Sequence, residues 1–184
     1  MCNIEQIIEK CKNGDRNAAE KIYRKYAAEM FAVCIRFTNN RADAEDVLQD
    51  GFIKIFNSID KYSGKGSFEG WMRRVFVNMC LEQYRKKQNF TVVDDLPDCT
   101  AVDIEDDIND DVDIPVDVLQ RFVNELPDKY RMVFGLYVVE NMKHKEIAMA
   151  LGISEGTSKS NLARARELLK FKIKEYIENE QQFR

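Results

Sequence analysis

Residues 144–166 read HKEIAMALGISEGTSKSNLARAR, a spacing that fits a helix, a tight turn and a second, basic helix. In the first helix Ile147, Ala148 and Leu151 fall on one face, the i, i+1, i+4 pattern of a buried stripe. Gly152 then permits the left-handed backbone that ends a helix. Ser154, with Glu155 and Thr157 behind it, supplies oxygens for the unpaired amides of the next helical turn. From there to Phe171 the pattern is helical, with Ser158, Leu162, Ala165 and Leu169 inward and Lys159, Ser160, Ala163, Arg164 and Glu167 outward. Small residues that allow close approach, beside cations that meet phosphates and base edges, are what a helix entering the DNA major groove needs. A Gly-turned helix pair alone is also compatible with a plain surface hairpin. The remaining chain decides between them.

Working outward, the net charge of −4 conceals a segregation. Residues 88–120 hold 11 acidic residues and no Lys or Arg, whereas residues 1–87 carry 16 basic against 12 acidic and residues 121–184 carry 12 against 9. Two basic segments thus flank a polyanionic run containing Pro97 and Pro115, which reads as a flexible linker over residues 88–117 between domains at 1–87 and 118–184. The run does not match a calcium loop, because Gly is missing from the sixth position and Glu from the twelfth. With 45% apolar and 33% charged residues the composition is that of a water-soluble globular protein, and no stretch approaches the roughly 20 apolar residues of a membrane span. The N-terminal MCNIEQIIEKCKNGD lacks an apolar signal core, so a cytoplasmic protein without membrane insertion is expected. Cys2, Cys11, Cys34, Cys80 and Cys99 form no CxxC pair and read as isolated thiols rather than as disulfides or metal ligands.

Apolar periodicity predicts an all-α protein: helices over 4–12, 17–38, 41–59 and 68–87, then 118–125, a helix opened by Pro127 and running to Val139, and the helix-turn-helix. In the third helix Val47, Leu48, Phe52, Ile55 and Phe56 form a core stripe, and Glu45, Asp46, Gln49 and Asp50 gather on the other side as a patch suited to a basic protein partner. The loop Lys61-Tyr62-Ser63-Gly64-Lys65-Gly66-Ser67 and the following Phe68-Glu69-Gly70-Trp71-Met72-Arg73-Arg74 combine aromatic rings with cations, the chemistry of single-strand binding. Phe68, Trp71, Val75 and Asn78/Met79 share one stripe, which reads Trp71 as core, with Tyr62 and Asn78 the better candidates to meet a base. The Gly64-Lys65-Gly66-Ser67 string breaks the order of a phosphate loop and follows no strand, so nucleotide binding is rejected. His144 is the single histidine and has no nucleophile motif to serve; neither an enzyme nor a cofactor or small-molecule substrate is indicated.

With these residues assembled, the chain resembles a bacterial RNA polymerase sigma factor of the sigma-70 family, extracytoplasmic-function (ECF) group. The resemblance rests on Ala44 to Phe52 (AEDVLQDGF), on Phe68-Glu69-Gly70-Trp71 with Arg74 and Asn78, and on Leu126-Pro127 followed by Glu146-Ile147-Ala148 and Gly156-Thr157. It implies that the first domain grips the polymerase clamp through Glu45, Asp46, Gln49 and Asp50. It implies a minus-10 site made of Lys54, Tyr62, Ser63, Gly64, Lys65, Gly66, Ser67, Phe68, Trp71, Arg74 and Asn78, which receives a flipped base. The second domain would dock on the polymerase flap and read the minus-35 element with Lys145, Thr157, Ser158, Lys159, Ser160, Asn161, Ala163 and Arg164. The partners implied are core polymerase, promoter DNA and an anti-sigma factor, typically membrane-linked. Ser158, where the family favours an apolar residue, Asn161, where a basic one is common, and Ala163, which offers only a methyl, depart from the family pattern. A stand-alone helix-turn-helix regulator would leave the acidic patch and aromatic loop unused; a polymerase adaptor that ignores DNA would leave Lys159 and Arg164 unused.

The acidic run also repels duplex phosphates. The isolated chain is therefore expected to bind promoter DNA weakly and to require polymerase; tight, sequence-specific gel shifts by the free full-length protein would contradict this.

Overall fold

Side-chain oxygens mark where the helices begin. The Asp15 carboxylate accepts from Asn17 N at 2.8 Å and Ala18 N at 3.2 Å, opening α2 (Arg16–Phe37) after the short α1 (Ile4–Lys12). Asn40 does the same for α3 (Arg41–Ser58), accepting from Asp43 N at 2.8 Å, and Ser67 for α4 (Phe68–Gln88), accepting from Gly70 N at 3.0 Å. Each cap satisfies an amide that lacks an intrahelical carbonyl. The computed structural model describes residues 4–88 and 114–182, and all elements among them are helical. The chain divides into two compact units, residues 1–92 and 93–184.

In the first unit α2, α3 and α4 pack mutually, and α1 lies on α2. Ile22, Met30 and Cys34 from α2, Ile55 from α3, and Met72 and Phe76 from α4 are fully shielded. Phe52 ties the three helices together, its ring 4.7 Å from that of Tyr23 and 5.4 Å from that of Phe76. Of the expected α3 stripe, Val47, Phe52 and Ile55 are buried and Leu48 and Phe56 half-buried. The α4 stripe needs correction. Its buried line is Phe68, Met72, Phe76, Val77, Cys80 and Leu81, while Trp71, Val75 and Met79 are half-buried and Asn78 is exposed. The helix steps by four from Phe68 because it serves two neighbours, α2 and α3, and Trp71 is left at the margin of the core.

In the second unit α5 (Val116–Asn124) starts two residues before the expected 118. The helix opened by Pro127 is α6 (Asp128–Phe134), which widens into a π-helical turn at Gly135–Val139 instead of continuing regularly. Then come α7 (His144–Leu151) and α8 (Glu155–Gln182), which runs well past the expected Phe171. Met132, Val133, Leu136, Ile147, Leu151, Leu162 and Ala165 form the core. Arg131 is buried among them, donating to Asn124 O at 3.0 Å and to the Asp128 carboxylate at 2.9 Å, so its charge is paired where α5 meets α6. Cys11, Cys34 and Cys80 are buried free thiols, and burial pushes the Cys11 thiol up from its ordinary pKa. Cys2, Cys99 and most of the expected acidic linker lie outside the described residues.

Gly51 sets the distance between α3 and α4. A Cβ there would stand 2.0 Å from Phe76 Cε1, and the Phe76 ring is wholly buried. Alanine favours a helix over glycine by about 1 kcal/mol, yet overpacking a full core costs about 1–3 kcal/mol. Gly51→Ala should therefore lower the urea midpoint of the full chain; an unchanged or raised midpoint would show that Phe76 moves aside freely.

Candidate nucleic-acid interface

The helix-turn-helix is built from backbone geometry and two caps. The Glu146 carboxylate accepts from Lys143 N at 2.7 Å at the start of α7. Gly152, with φ of 71°, closes the helix by donating to Ala148 O at 2.9 Å. Ser154 Oγ then accepts from Thr157 N at 2.9 Å and lies 2.8 Å from Thr157 Oγ1, which opens α8. Ser158, Leu162 and Ala165 turn inward, and Lys159 and Arg164 are exposed, with Thr157, Ser160, Asn161 and Ala163 partly so. Lys145 is exposed on α7. Two ion pairs run along α8, Lys159 to Glu155 at 3.0 Å and Arg164 to Glu167 at 2.5 Å. The Lys159 ammonium holds the Glu155 carboxyl below its ordinary pKa. Ser158 does not belong with the outward set: it is 0% exposed, and its hydroxyl lies 3.0 Å from His144 Nδ1. The His144 ring in turn stacks on Tyr137, centroids 4.6 Å apart. That pairing joins residues 14 apart, a relation that helical spacing within either segment does not reveal.

In the first unit, a single 3₁₀ turn (Ile59–Lys61) follows α3, and the loop closes through Tyr62, whose hydroxyl donates to Gly66 O at 2.7 Å. Gly64 and Gly66 have φ of 76° and 80°, the left-handed region in which other residues are strained. The Tyr62 ring rests on Phe68 at 5.1 Å and Trp71 at 5.7 Å, and Phe68 stacks on Trp71 at 5.6 Å. Phe68 is 4% exposed and supports this cluster from beneath, so it cannot itself meet a base. Tyr62 and Trp71 are half-buried, and Ser63, Lys65, Ser67 and Arg74 are exposed. Beside the cluster an open groove is lined by Asp50, Lys54, Asn57, Lys61, Trp71 and Val75, among others. It brings Lys54 and Trp71 together with Lys61 and Asn57, two residues that periodicity did not single out; Asn78 is not among its lining residues. On α3, Glu45, Asp46, Gln49 and Asp50 are all exposed, and Glu45 is paired with Arg41 at 2.7 Å. An apolar groove lined by Tyr23, Phe31, Leu48, Gln49, Phe52 and Ile53 borders them. Ile53 is 52% exposed, which the sequence pattern did not anticipate.

Each unit contains one family match: Sigma-70 region 2 over residues 22–90 and Sigma-70 region 4 over residues 117–169. The pair defines a class, the initiation factors that carry both regions. The chain is 28% identical over 182 residues to the ECF RNA polymerase sigma factor SigW of Bacillus subtilis, covering 94% of this chain and 97% of that one. It is 31% identical over 152 residues to the ECF RNA polymerase sigma factor SigM of the same organism, covering 82% and 92%. In fold it is similar to the sigma factor RpoE of Bartonella quintana, solved in complex with the anti-sigma factor NepR, at a TM-score of 0.51 and 19% identity over 84% of this chain and 96% of that one. This chain belongs to the ECF group of the sigma-70 family of RNA polymerase sigma factors. Among the described residues no helix is long and apolar enough to cross a membrane.

Ser154 carries the turn between the two helices of the second unit. Ser154→Ala should lower that unit's stability by about 1 kcal/mol, the usual loss of an N-cap, measured by amide exchange of α8 in the full chain; exchange unchanged from wild type would assign the turn to Gly152 alone.

Proposed function

We propose that this chain joins core RNA polymerase and reads a two-part promoter, its first unit opening the minus-10 element and its second reading the minus-35 element. The observation that carries the reading is the second unit's exposed Lys159 and Arg164, held outward on a helix that buries Ser158, Leu162 and Ala165 on its other side. Lys145, Thr157, Ser160, Asn161 and Ala163 complete the surface toward DNA, and Ser158 stays behind it. A helix so presented can lay cations and hydroxyls along base edges in the major groove.

At the minus-10 element, Tyr62 and Trp71 form a platform on which an unpaired base can stack, with Lys54, Lys61, Lys65 and Arg74 available for the strand's phosphates. Ser63 and Ser67 flank the turn at Gly64 and Gly66 and are exposed. Asn78 is exposed on α4 and remains a candidate for a neighbouring base. Glu45, Asp46, Gln49 and Asp50 form the polymerase contact, where carboxylates meet a basic partner and the bordering apolar groove adds buried area. The residues present serve positioning and strand separation, and the chemistry of RNA synthesis belongs to the polymerase. We place the protein in the cytoplasm with the polymerase, held inactive by an anti-sigma factor until released. The related sigma factor solved with an anti-sigma factor supports that partner.

In vitro transcription on a promoter library, with core polymerase and with or without this protein, tests the reading. New start sites that need both components are expected. Binding to core without new starts would favour an adaptor, and no binding to core would favour a stand-alone regulator. On the promoter so found, Lys159→Ala should change sequence preference if it contacts a base, or weaken all sites evenly if it contacts phosphate; an unchanged promoter profile would refute base reading.

A further inference from the structure

The one histidine of the chain sits where the two helices of the second unit meet. His144 is the first residue of α7, stacks on Tyr137 of the π-helical turn, and holds the hydroxyl of Ser158 from α8 at 3.0 Å. Three elements thus converge on one ring. Ser158 is 0% exposed, and among the described residues its hydroxyl has no other hydrogen-bond partner. A buried hydroxyl left unpaired is costly, so the bond to the imidazole constrains where α8 can lie. Ser158 is separated by one residue from Ser160 and directly precedes Lys159, so any shift of its seat is passed to the outward face.

We propose that His144 is a positioning residue for promoter reading: stacked on Tyr137 and bonded to Ser158, its imidazole fixes the seat of the recognition helix and hence the register of Lys159, Ser160 and Arg164 on DNA. The inference rests on the second unit reading the minus-35 element. The neutral ring can accept the Ser158 proton at Nδ1 and satisfy both groups. Protonation turns Nδ1 into a donor, so the bond to Ser158 Oγ reverses, the serine proton loses its acceptor, and a positive charge enters a partly desolvated seat beside Lys159, which weakens it.

Burial is the larger cause that pushes His144 below its ordinary pKa. Lys159 and Arg166 on α8 act in the same direction, and Glu155 on α8 opposes them. Lys143 and Lys145 are its neighbours in sequence, and Tyr137 faces it from the π-helical turn. The sign follows from the lowered value. Above about pH 6.5 the ring is neutral whether or not the seat is formed, and the seat contributes fully. As pH falls from there through the lowered folded value, the disordered seat takes up protons first and the contribution is lost. A direct contact between His144 and a DNA phosphate would give the opposite sign, since phosphate favours the imidazolium.

The test uses the holoenzyme of core polymerase and full-length chain, on the promoter identified by transcription and on the same promoter with its minus-35 element scrambled. The readout is the ratio of the two dissociation constants between about pH 6 and pH 8, the range in which imidazole titrates. In wild type the ratio should fall on acidification, by up to about fourfold at pH 6, the ceiling set by an imidazole that ordinarily titrates near 6.5. His144→Asn, whose amide oxygen can take the Ser158 proton, should keep much of the wild-type ratio at pH 8 and lose the pH dependence. Ser158→Ala, which cannot touch DNA, should lower the ratio at pH 8 and also flatten it. A wild-type pH slope in His144→Asn, a wild-type ratio in Ser158→Ala, or a ratio that rises on acidification would each overturn the inference while leaving the minus-35 reading intact. A wild-type ratio of one at every pH would overturn both. Because His144 is the only histidine, its ring resonances titrated by NMR in the free full-length chain check the premise directly; an unshifted pKa would also overturn it.

Discussion

The ring of Phe76 lying against the backbone of Gly51 is the contact on which the first unit depends. It lets α3 and α4 approach at a distance that any side chain at position 51 would forbid. Those two helices carry most of the residues proposed for partner contacts: the carboxylates of α3, the loop between the helices, and Trp71 at the start of α4. Interiors pack at crystal-like density, so a displacement at this contact is transmitted rather than absorbed. Phe52, touching Phe76, Tyr23 and Phe56, extends the same constraint to α2.

The second unit solves a related problem with less apolar material. Its α7 has eight residues and buries Ile147 and Leu151, and the 28-residue α8 packs on α6 as well, where Met132 and Val133 are buried. Directional contacts add to that packing: the left-handed Gly152, the Ser154 cap and the His144–Ser158 bond. Hydrogen bonds in a shielded site distinguish one register from its neighbours, where a smooth apolar interface would tolerate sliding. Lys172, 2.6 Å from Glu125, ties the middle of α8 back toward α5.

Most helix boundaries were legible because they are local: Asp15, Ser67, Gly152 and Ser154 act on amides or turns within a few residues of themselves. The outward cations of α8 were legible for the same reason, since a 3.6-residue period separates them from Leu162 and Ala165. What was not legible depends on how many neighbours an element has. The buried line of α4 is shifted from the expected stripe because two helices cover it, and Trp71 consequently lies at a groove instead of inside the core. Asn57 escaped notice, and Lys61 was read only with its loop, because they join Lys54 and Trp71 only across the bend between α3 and α4. Ser158 broke the apolar pattern visibly, but the partner that explains it stands 14 residues away on another helix.

The ion pairs along α8 bear on the thermodynamics of DNA association. A cation that meets a bare phosphate displaces condensed counterions, and the entropy of their release drives binding. Lys159 and Arg164 are each already engaged by a carboxylate one helical turn away, Glu155 and Glu167. Moving them onto DNA exchanges one anionic partner for another and leaves a carboxylate close to the duplex. On the proposed DNA-reading role, the second unit would deliver less nonspecific electrostatic attraction than its count of basic residues suggests, and sequence-dependent contacts would make up a larger share of what remains. For a factor that must ignore most of a chromosome, partly cancelled charge favours discrimination over adhesion.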